Sequence, residues 1–353
     1  MQKHFYQYNT AVAVKNESEA SGKENNFYFW PLVKNECLVN SMRHHIILLV
    51  SLLMLAPELA DAQASRWKRT RYEVVGGLGL STFVGELGGK DSGNGHFLSD
   101  YDFTSQRIMA QAGLRYKILN PLAVKGSLSY AWLSGSDAKT DEVFRRDRNL
   151  SFRTNLWELA FQLEYSIIPE PINYRSTRRR KFTWRSLLNI NTYVFAGVSG
   201  FYFNPKAKDD GPEGTGKWVA LRKLGTEGQG LMEGRKKYKR IAMSFPFGIG
   251  FKYPLSRELG IGLEFGPRYT TTDYIDDVSR TYIDNEWLAR HNPQAARMAD
   301  RSIKTDDEND PLPNVRYAPG EQRGESKYND FYMFTVVSVS YKLKTGRNGL
   351  PKF

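Results

Sequence analysis

Hydrophobic and polar residues alternate strictly between residues 155 and 165, where the sequence reads NLWELAFQLEY. Successive side chains of a β-strand point to opposite faces, so Trp157 and Phe161 lie on one face and Glu158 and Glu164 on the other. A sheet in water would turn its large apolar groups inward and would rarely oppose them with charges. The pattern therefore predicts a strand of a transmembrane β-barrel, with lipid outside and a polar lumen.

Seven further segments show the same period-two alternation, and each is long enough to cross a membrane as a tilted strand of roughly 9–11 residues. Eight is an even number, as in bacterial single-chain barrels, and at this size side chains fill the interior. We predict an all-β fold: a transmembrane antiparallel β-barrel of eight strands with a polar, plugged lumen. The predicted strands are 72–81, 107–118, 122–133, 155–165, 188–203, 240–253, 259–269 and 331–343.

Two points stay open in this prediction. The alternation in 188–203 does not show which face is outward, and hairpins within 204–239 or 270–330 would make a larger barrel. The segment 284–330 is rich in Asp, Arg and Pro and is a candidate for a mobile loop.

Connection lengths predict the orientation. With a periplasmic N-terminus, the outer connections 82–106, 134–150, 204–239 and 270–330 are all long. The inner connections 119–121 and 254–258 are short, whereas 168–187 is the exception. Long extracellular loops and short periplasmic turns are the usual asymmetry of such barrels.

The composition fits this class. Tyr and Phe number 20 each and Gly 30, which suits strands, aromatic girdles and turns. Apart from one signal-like segment, no stretch approaches the roughly 20 apolar residues of a membrane helix, which excludes a helical membrane protein.

That segment is 42–64, which has a basic start, a short apolar core at 46–55 and small-x-small cleavage sites, as in a secretory signal peptide. We therefore expect translation to start at Met42, residues 1–41 to be a mis-annotated extension, and residues 65–353 to form the exported outer-membrane barrel. The single cysteine, Cys37, lies in that extension, so no disulfide and no cysteine-based metal or nucleophile site is expected. No cofactor is predicted.

The chain is strongly basic. Removing residues 1–64, which hold five basic and six acidic residues, changes the formal net charge from +12 to +13. An exported basic barrel is expected to meet lipopolysaccharide phosphates or acidic protein surfaces, and no nucleic acid.

Two cationic clusters are candidate contacts. One lies in the long inner connection and is a candidate periplasmic docking loop, although a solvated basic loop is the alternative. The other lies at the start of the sixth strand, at the level expected for lipopolysaccharide phosphates, although ordinary snorkelling cations are the alternative. The docking candidates are Arg175, Arg178, Arg179, Arg180, Lys181 and Arg185, and the lipopolysaccharide candidates are Arg235, Lys236, Lys237, Lys239 and Arg240.

The inward positions predict a network of paired charges in the lumen rather than a catalytic site, since both signs occur in similar number. The predicted lumen residues are Glu73, Arg115, Lys125, Glu158, Glu164, Glu264 and Arg268, joined by Lys117 and Gln162.

An acidic cluster, Asp273, Asp276 and Asp277, favours loop capping by Asx turns, with calcium binding left open. Asp276 with His291 is the available rim pairing for a hydrolase, but no Gly-x-Ser-x-Gly motif accompanies it. No catalytic or metal-ligating residue is predicted.

Six blocks, in this order and spacing, resemble the PorG family of outer-membrane barrels from the type IX secretion system. They span the chain from about residue 70 onward, and residues 1–41 have no place in the pattern. The blocks are VGGLGLSTFVGELGG (75–89), RNLSFR (148–153) with WEL (157–159), FAGVSGFYFNPK (195–206), WVAL (218–221) with LGTEGQG (224–230), FGIGFKY (247–253) and TDYIDDV (272–278).

The resemblance implies a non-enzymatic subunit that associates with a periplasmic ring made of a lipoprotein and its partner subunit, while cargo leaves through a different, larger barrel. The function expected from it is to anchor or orient that ring at the outer membrane. The alternatives are a small outer-membrane channel, or an outer-membrane enzyme acting on lipid or protein.

Overall fold

The computed structural model describes residues 67–85, 87, 105–139, 143–170, 190–211, 213–303, 317–346 and 350–352. The predicted extension, the signal segment 42–64 and the docking candidates between 175 and 185 lie outside the described residues. No described helix is long and apolar enough to cross a membrane.

Eight long strands form the body of the protein, and all eight predicted segments are confirmed with end points shifted by a few residues. Three shorter strands accompany them. The long strands are β1 (Tyr72–Val84), β2 (Arg107–Lys117), β3 (Leu122–Ser136), β4 (Ser151–Ile168), β5 (Asn191–Tyr202), β8 (Ile241–Pro254), β9 (Leu259–Thr270) and β10 (Phe331–Thr345); the short ones are β6 (Lys206–Lys208), β7 (Trp218–Ala220) and β11 (Pro351–Lys352).

The eight long strands close into a ring. Their order is β3-β2-β1-β10-β9-β8-β5-β4, and the pairing of β3 with β4 completes the circle. The β1–β10 seam is continuous from Tyr72↔Leu343 to Val84↔Phe331, and every pairing is antiparallel. A closed ring leaves no strand edge exposed, which is the condition for a sheet to lie in lipid.

The outer surface of the ring is apolar. The exposed fraction reaches 67% for Leu78, 65% for Ile108 and 70% for Ile241. Soluble proteins rarely expose a continuous surface made of such large apolar side chains. The alternate positions point inward and are buried, as in the glutamates and Gln162 of β4. The outward assignments made from the sequence are therefore confirmed for the seven strands where they were made.

Aromatic side chains border this apolar belt at both ends. On β4 they are Trp157 and Tyr165, eight residues apart, or about 20 Å in height at ~3.3 Å per residue and a tilt of about 40°. That height is comparable with the roughly 25 Å apolar band of outer-membrane barrels. We call the aromatic ring at the level of Trp157 the upper ring and the one at the level of Tyr165 the lower ring. The upper ring contains Tyr130, Trp132, Trp157, Tyr202, Phe245 and Tyr269, and the lower ring contains Tyr72, Tyr116, Tyr165, Tyr253 and Tyr341.

The structure settles the facing of β5. Tyr193, Phe195 and Phe201 are buried in the lumen, whereas Val194 and Val198 are exposed on the belt. The sequence could not decide this because both faces of the strand carry bulky apolar residues.

The barrel has two unlike ends. We call one the short-turn end, because residues 118–121 and 255–258 form tight turns there, and the other the long-loop end. At the long-loop end, β6 pairs with β4 at Arg153↔Lys206 and with β7, so this hairpin extends the wall without entering the ring. The strand number in the closed ring is thus eight.

The described parts of the connections 137–150, 203–240 and 271–330 fold together into what we call the cap. It contains helices α1 (Val143–Arg148), α2 (Leu221–Leu224), α3 (Asn285–His291) and α4 (Pro293–Ala299). The Asp284 carboxylate accepts hydrogen bonds at the start of α3, and Asn292 does so for α4. Leu288 and Met298 are buried in a shared apolar cluster, so residues 285–299 form packed helices within the segment whose composition made it a candidate for a mobile loop.

Candidate functional site

An extended ion network fills the lumen near the short-turn end. Its members lie on alternate, inward positions of the strands or just past the end of β4, so the pleat aims them all at the barrel axis. It holds five cations, Arg115, Lys117, Lys125, Lys252 and Lys342, and four carboxylates, Glu73, Glu164, Glu170 and Glu264.

Glu73 is one centre of this network and is fully buried. Its carboxylate lies 2.8 Å from Lys252 Nζ, 2.9 Å from Lys117 Nζ and 3.1 Å from an Arg115 guanidinium nitrogen. Moving a carboxylate from water into a protein interior costs free energy unless the carboxylate is paired and hydrogen-bonded. Three cations pair with Glu73 and offset that cost.

Glu264 is the second centre. Its oxygens accept from Lys125 Nζ at 2.6 Å and from the Tyr193 hydroxyl at 2.6 Å. Arg115 links the two centres, since its guanidinium nitrogens lie 3.1 Å from Glu73 and 3.4 Å from Glu264. Its Nε also lies 2.5 Å from Glu164. Counted over the described residues, the network has five cations and four carboxylates, which is one excess positive charge.

A smaller polar pair lies further toward the long-loop end. Glu158 accepts from the Tyr332 hydroxyl at 2.5 Å and from Arg268 Nε at 3.4 Å. The Arg268 guanidinium lies 4.0 Å from the ring centre of Phe334, a cation–π contact.

All seven lumen residues expected from the sequence thus point into the barrel and are buried. Four further residues of the polar lumen were not predicted from the sequence: Lys252, Glu170, Tyr193 and Tyr332. Lys252 could have been predicted, because Phe251 faces outward and the residue after it on the same strand must face inward. Glu170 follows the end of β4, where the alternation gives no signal.

Above the polar layers, apolar side chains close the lumen. Tyr332, Phe334, Phe201 and Phe203 are buried and in ring contact, with Phe201 and Tyr332 centroids 5.6 Å apart. Between the ion network and the short-turn mouth, a cavity of only about 20 Å³ is lined by Arg115, Glu170 and Lys252 among others. The lumen is plugged, as predicted.

The cap has a buried polar centre of its own. Arg323 donates to Glu227 Oε1 at 2.9 Å and to the backbone carbonyl of Asp277 at 2.9 Å. The Asp277 carboxylate accepts from the Thr226 hydroxyl at 2.6 Å and the Tyr238 hydroxyl at 2.5 Å. Burial raises the pKa of Asp277 to about 7, against the opposing charge of Arg323.

A second ion pair joins the β3–β4 connection to this centre. Arg148 binds Asp137 through two nitrogens, at 2.7 and 3.0 Å, and donates to the backbone carbonyl of Arg323 at 2.7 Å. Because these residues come from separate connections, the cap is held together by long-range polar contacts.

The acidic cluster serves this local structure. Asp276 accepts from the backbone N–H of Val278 at 2.9 Å, which is an Asx turn, and Asp277 is the acceptor described above. Within the described ranges, no group of three or more His, Cys, Asp or Glu side chains is placed to hold a metal ion. His291 is exposed and contacts the Trp287 carbonyl at 2.8 Å, whereas Asp276 is buried.

The predicted lipopolysaccharide candidates divide in two. Arg235 donates to the carbonyls of Glu227 and Thr281 at 2.7 and 3.2 Å, so the cap itself occupies its guanidinium. Lys236, Lys237 and Lys239 are exposed, and Arg240 lies over the ring of Tyr202 at 5.4 Å. The assignment of these residues to lipopolysaccharide stays a prediction.

Known proteins were found to be similar to this chain among solved structures only. No family model matches the chain, and no curated protein matches its sequence. Among solved structures, it is similar to Neisserial surface protein A (8% identity, TM-score 0.35, 77% of this chain and 96% of that one). It is also similar to Ail of Yersinia pestis in complex with the heparin analogue sucrose octasulfate (9%, 0.33, 78% and 99%) and to the outer membrane protein OprG from Pseudomonas aeruginosa (7%, 0.32, 78% and 98%).

The fold is an outer-membrane-type β-barrel. What establishes it is the closed ring of strand pairs with an apolar belt outside and a filled polar lumen inside, since lipid tolerates a sheet only in that form.

Proposed function

We propose that this protein is a non-enzymatic outer-membrane subunit of a type IX protein secretion machine, where it anchors or orients the periplasmic ring complex. The observation that carries the proposal is the ordered series of six sequence blocks that resemble the PorG family. The partners that follow from it are the ring lipoprotein and its companion subunit.

The placement of these blocks supports a common structural purpose. Thr226 and Glu227 belong to the fourth block, and Asp277 belongs to the sixth. The Thr226 hydroxyl donates to Asp277 at 2.6 Å, and Glu227 accepts from the backbone N–H of Ser279 at 3.0 Å. Two blocks that are distant in sequence thus build one cap core.

The filled lumen supports an anchoring role over a conducting one. In the part of the chain that the structure describes, the ion network and the apolar plug both occupy the lumen, and we infer that the barrel acts through its surfaces. The belt fixes its depth in the membrane, and the ion network makes it a rigid support.

The short turns assign one end of the barrel to the periplasm by the usual asymmetry of outer-membrane barrels. The cationic segment with Arg178, Arg179, Arg180 and Lys181 would then face the ring. Electrostatic complementarity would orient an acidic ring surface against it.

The test is affinity purification from detergent-solubilised outer membranes, with cross-linking and mass spectrometry. Wild type is compared with a variant in which Arg178, Arg179, Arg180 and Lys181 are changed to Ser. A matched control also changes four cations, Lys236, Lys237, Lys239 and Arg240, to Ser at the long-loop end of the barrel.

We expect the ring lipoprotein to co-purify with wild type and the control but not with the first variant. If ring protein stays with the first variant, the anchor role stands and the docking segment is wrong. If a folded wild-type barrel captures no ring protein, the anchor role itself is wrong.

A further inference from the structure

The outer face of the β6–β7 hairpin continues the lipid-facing surface of β4. Lys206 pairs with Arg153 of β4, whose side chain points outward, and with Ala220 of β7. The next residue of β6, Ala207, is buried against the cap. Because successive side chains of a strand point to opposite faces, Lys206 lies on the outer side. Trp218, on the same side, receives the Arg153 guanidinium at 3.5 Å from its ring centre.

This face borders a groove of about 550 Å³. Its cationic lining comes from four different segments: Lys206 on β6, Lys217 in the hairpin loop, Lys223 on α2 and Arg240 before β8. The nearby Asp209 carboxylate is buried and is held by Arg297 at 3.2 Å, within the cap. We call these four cations, with Arg153 and Trp218, the phosphate groove.

Within the described part of the chain, none of the five cations of the groove has a carboxylate partner. The contacts of Arg153 and Arg240 are to aromatic rings, Trp218 and Tyr202 respectively. This differs from the lumen and the cap core, where buried cations are matched by carboxylates. Gathering unpaired like charges costs free energy, and a bound polyanion would offset that cost.

The height of the groove indicates which anion. Trp157 belongs to the upper aromatic ring of the belt, and Arg153 lies four residues further along β4. At ~3.3 Å per residue and a tilt of about 40°, its backbone is about 10 Å above that ring. Arg240 immediately precedes Ile241, which is exposed on the belt. In an outer leaflet, this level is that of the headgroup phosphates.

We propose that the phosphate groove binds the lipid A phosphates of lipopolysaccharide and thereby fixes a lipid molecule against the β4–β5 side of the barrel. The lysines and arginines are the phosphate ligands. Trp218, whose side chain is 42% exposed, offers a flat surface to the glucosamine rings. The proposal needs the long-loop end to face outward, but it does not depend on the secretion partners.

The experiment measures binding of fluorescent lipopolysaccharide to the purified barrel in a neutral detergent. The test variant carries Lys206→Ser, Lys217→Ser and Lys223→Ser. The matched control carries Lys68→Ser, Arg69→Ser and Arg257→Ser, three exposed cations at the short-turn end, which removes the same charge far from the groove. Melting of the far-ultraviolet circular dichroism signal confirms that all three proteins are folded.

We expect the test variant to bind roughly tenfold more weakly, from three partly exposed charge contacts. The control should bind within about twofold of wild type, and enzymatically dephosphorylated lipopolysaccharide should lose most affinity for wild type. Equal weakening of both variants, or undiminished binding of the dephosphorylated lipid, would overturn the proposal. Displacement by inorganic phosphate at equal concentration would show a free-anion site and also overturn it.

Discussion

Changing Glu73 to Gln tests whether charge balance in the ion network stabilises the barrel. The substitution keeps the volume of the side chain, so it creates no cavity. It removes the anion that lies within 3.1 Å of Lys252, Lys117 and Arg115, and it raises the excess positive charge from one to two. Breaking a buried ion pair by removing one partner costs about 3–5 kcal/mol, and we expect a loss in that range.

Removing a cation from the same contact should cost less. Lys252→Met breaks the 2.8 Å pair with Glu73 but brings the network to neutrality, and Glu73 keeps Lys117 and Arg115. We expect a loss of about 1.5–2 kcal/mol, at the lower end of the contribution of one hydrogen bond to a charged group. The double variant should recover about 2 kcal/mol relative to Glu73→Gln alone, as expected for directly coupled sites.

The measurement is reversible urea unfolding in lipid vesicles, followed by tryptophan fluorescence, with the free energy of unfolding taken from the midpoint and slope. The order of stability should be wild type, Lys252→Met, the double variant, then Glu73→Gln. If Lys252→Met is as destabilising as Glu73→Gln, excess positive charge is not the governing quantity. If Glu73→Gln falls within about 1 kcal/mol of wild type, buried pairing does not stabilise this lumen.

Four further outcomes are expected. Phe161→Arg places a charge midway between the two aromatic rings and should destabilise the barrel in vesicles by about 2–4 kcal/mol; an unchanged midpoint would contradict the lipid belt. The folded pKa of Asp277, about 7, exceeds its ordinary 3.8, so the native cap holds a proton that the unfolded cap releases. Its contribution to cap stability should therefore be complete below about pH 4 and lost as the pH rises to 7, and hydrogen exchange should show no such difference in Asp277→Asn. Arg323→Met should expose the cap to limited proteolysis while the barrel strands stay protected, because Glu227 then loses its 2.9 Å partner; uniform protection would contradict that role. Wild type should show no steady conductance in planar bilayers, and stable open-channel currents would restore the channel hypothesis.

The barrel could be predicted because its physics is local and periodic. Each strand must present apolar groups to lipid and polar groups to the lumen, so alternation alone fixes facing, as in Trp157 and Glu158 of β4. The rule fails at β5, where Tyr193, Phe195 and Phe201 turn inward. Tyr193 and Phe195 contact the cations of the ion network through their rings, and Phe201 belongs to the apolar plug. Because all three are bulky aromatic residues, the contrast between the two faces disappears.

The cap could not be predicted in this way. Helices α3 and α4 have seven residues each, too few to show a helical period or to be stable alone. They are held by contacts with other parts of the cap: Leu288 lies in one apolar cluster with Leu221, and Arg323 Nε donates to the Ala299 carbonyl at 3.3 Å. Likewise, no local signal connects Lys206, Lys223 and Arg240, which only the hairpin geometry brings to one groove.

The seam between β1 and β10 has a consequence for assembly. These strands are neighbours in space but are separated by almost the whole described chain. Until β10 arrives, β1 and β9 both present unpaired backbone groups, which lipid does not tolerate. Insertion must therefore wait for β10 or proceed with help that covers these two edges. A chain that stops before Phe331 would not yield a weaker barrel; it would yield an open sheet that an insertion machine must hold or a protease must remove.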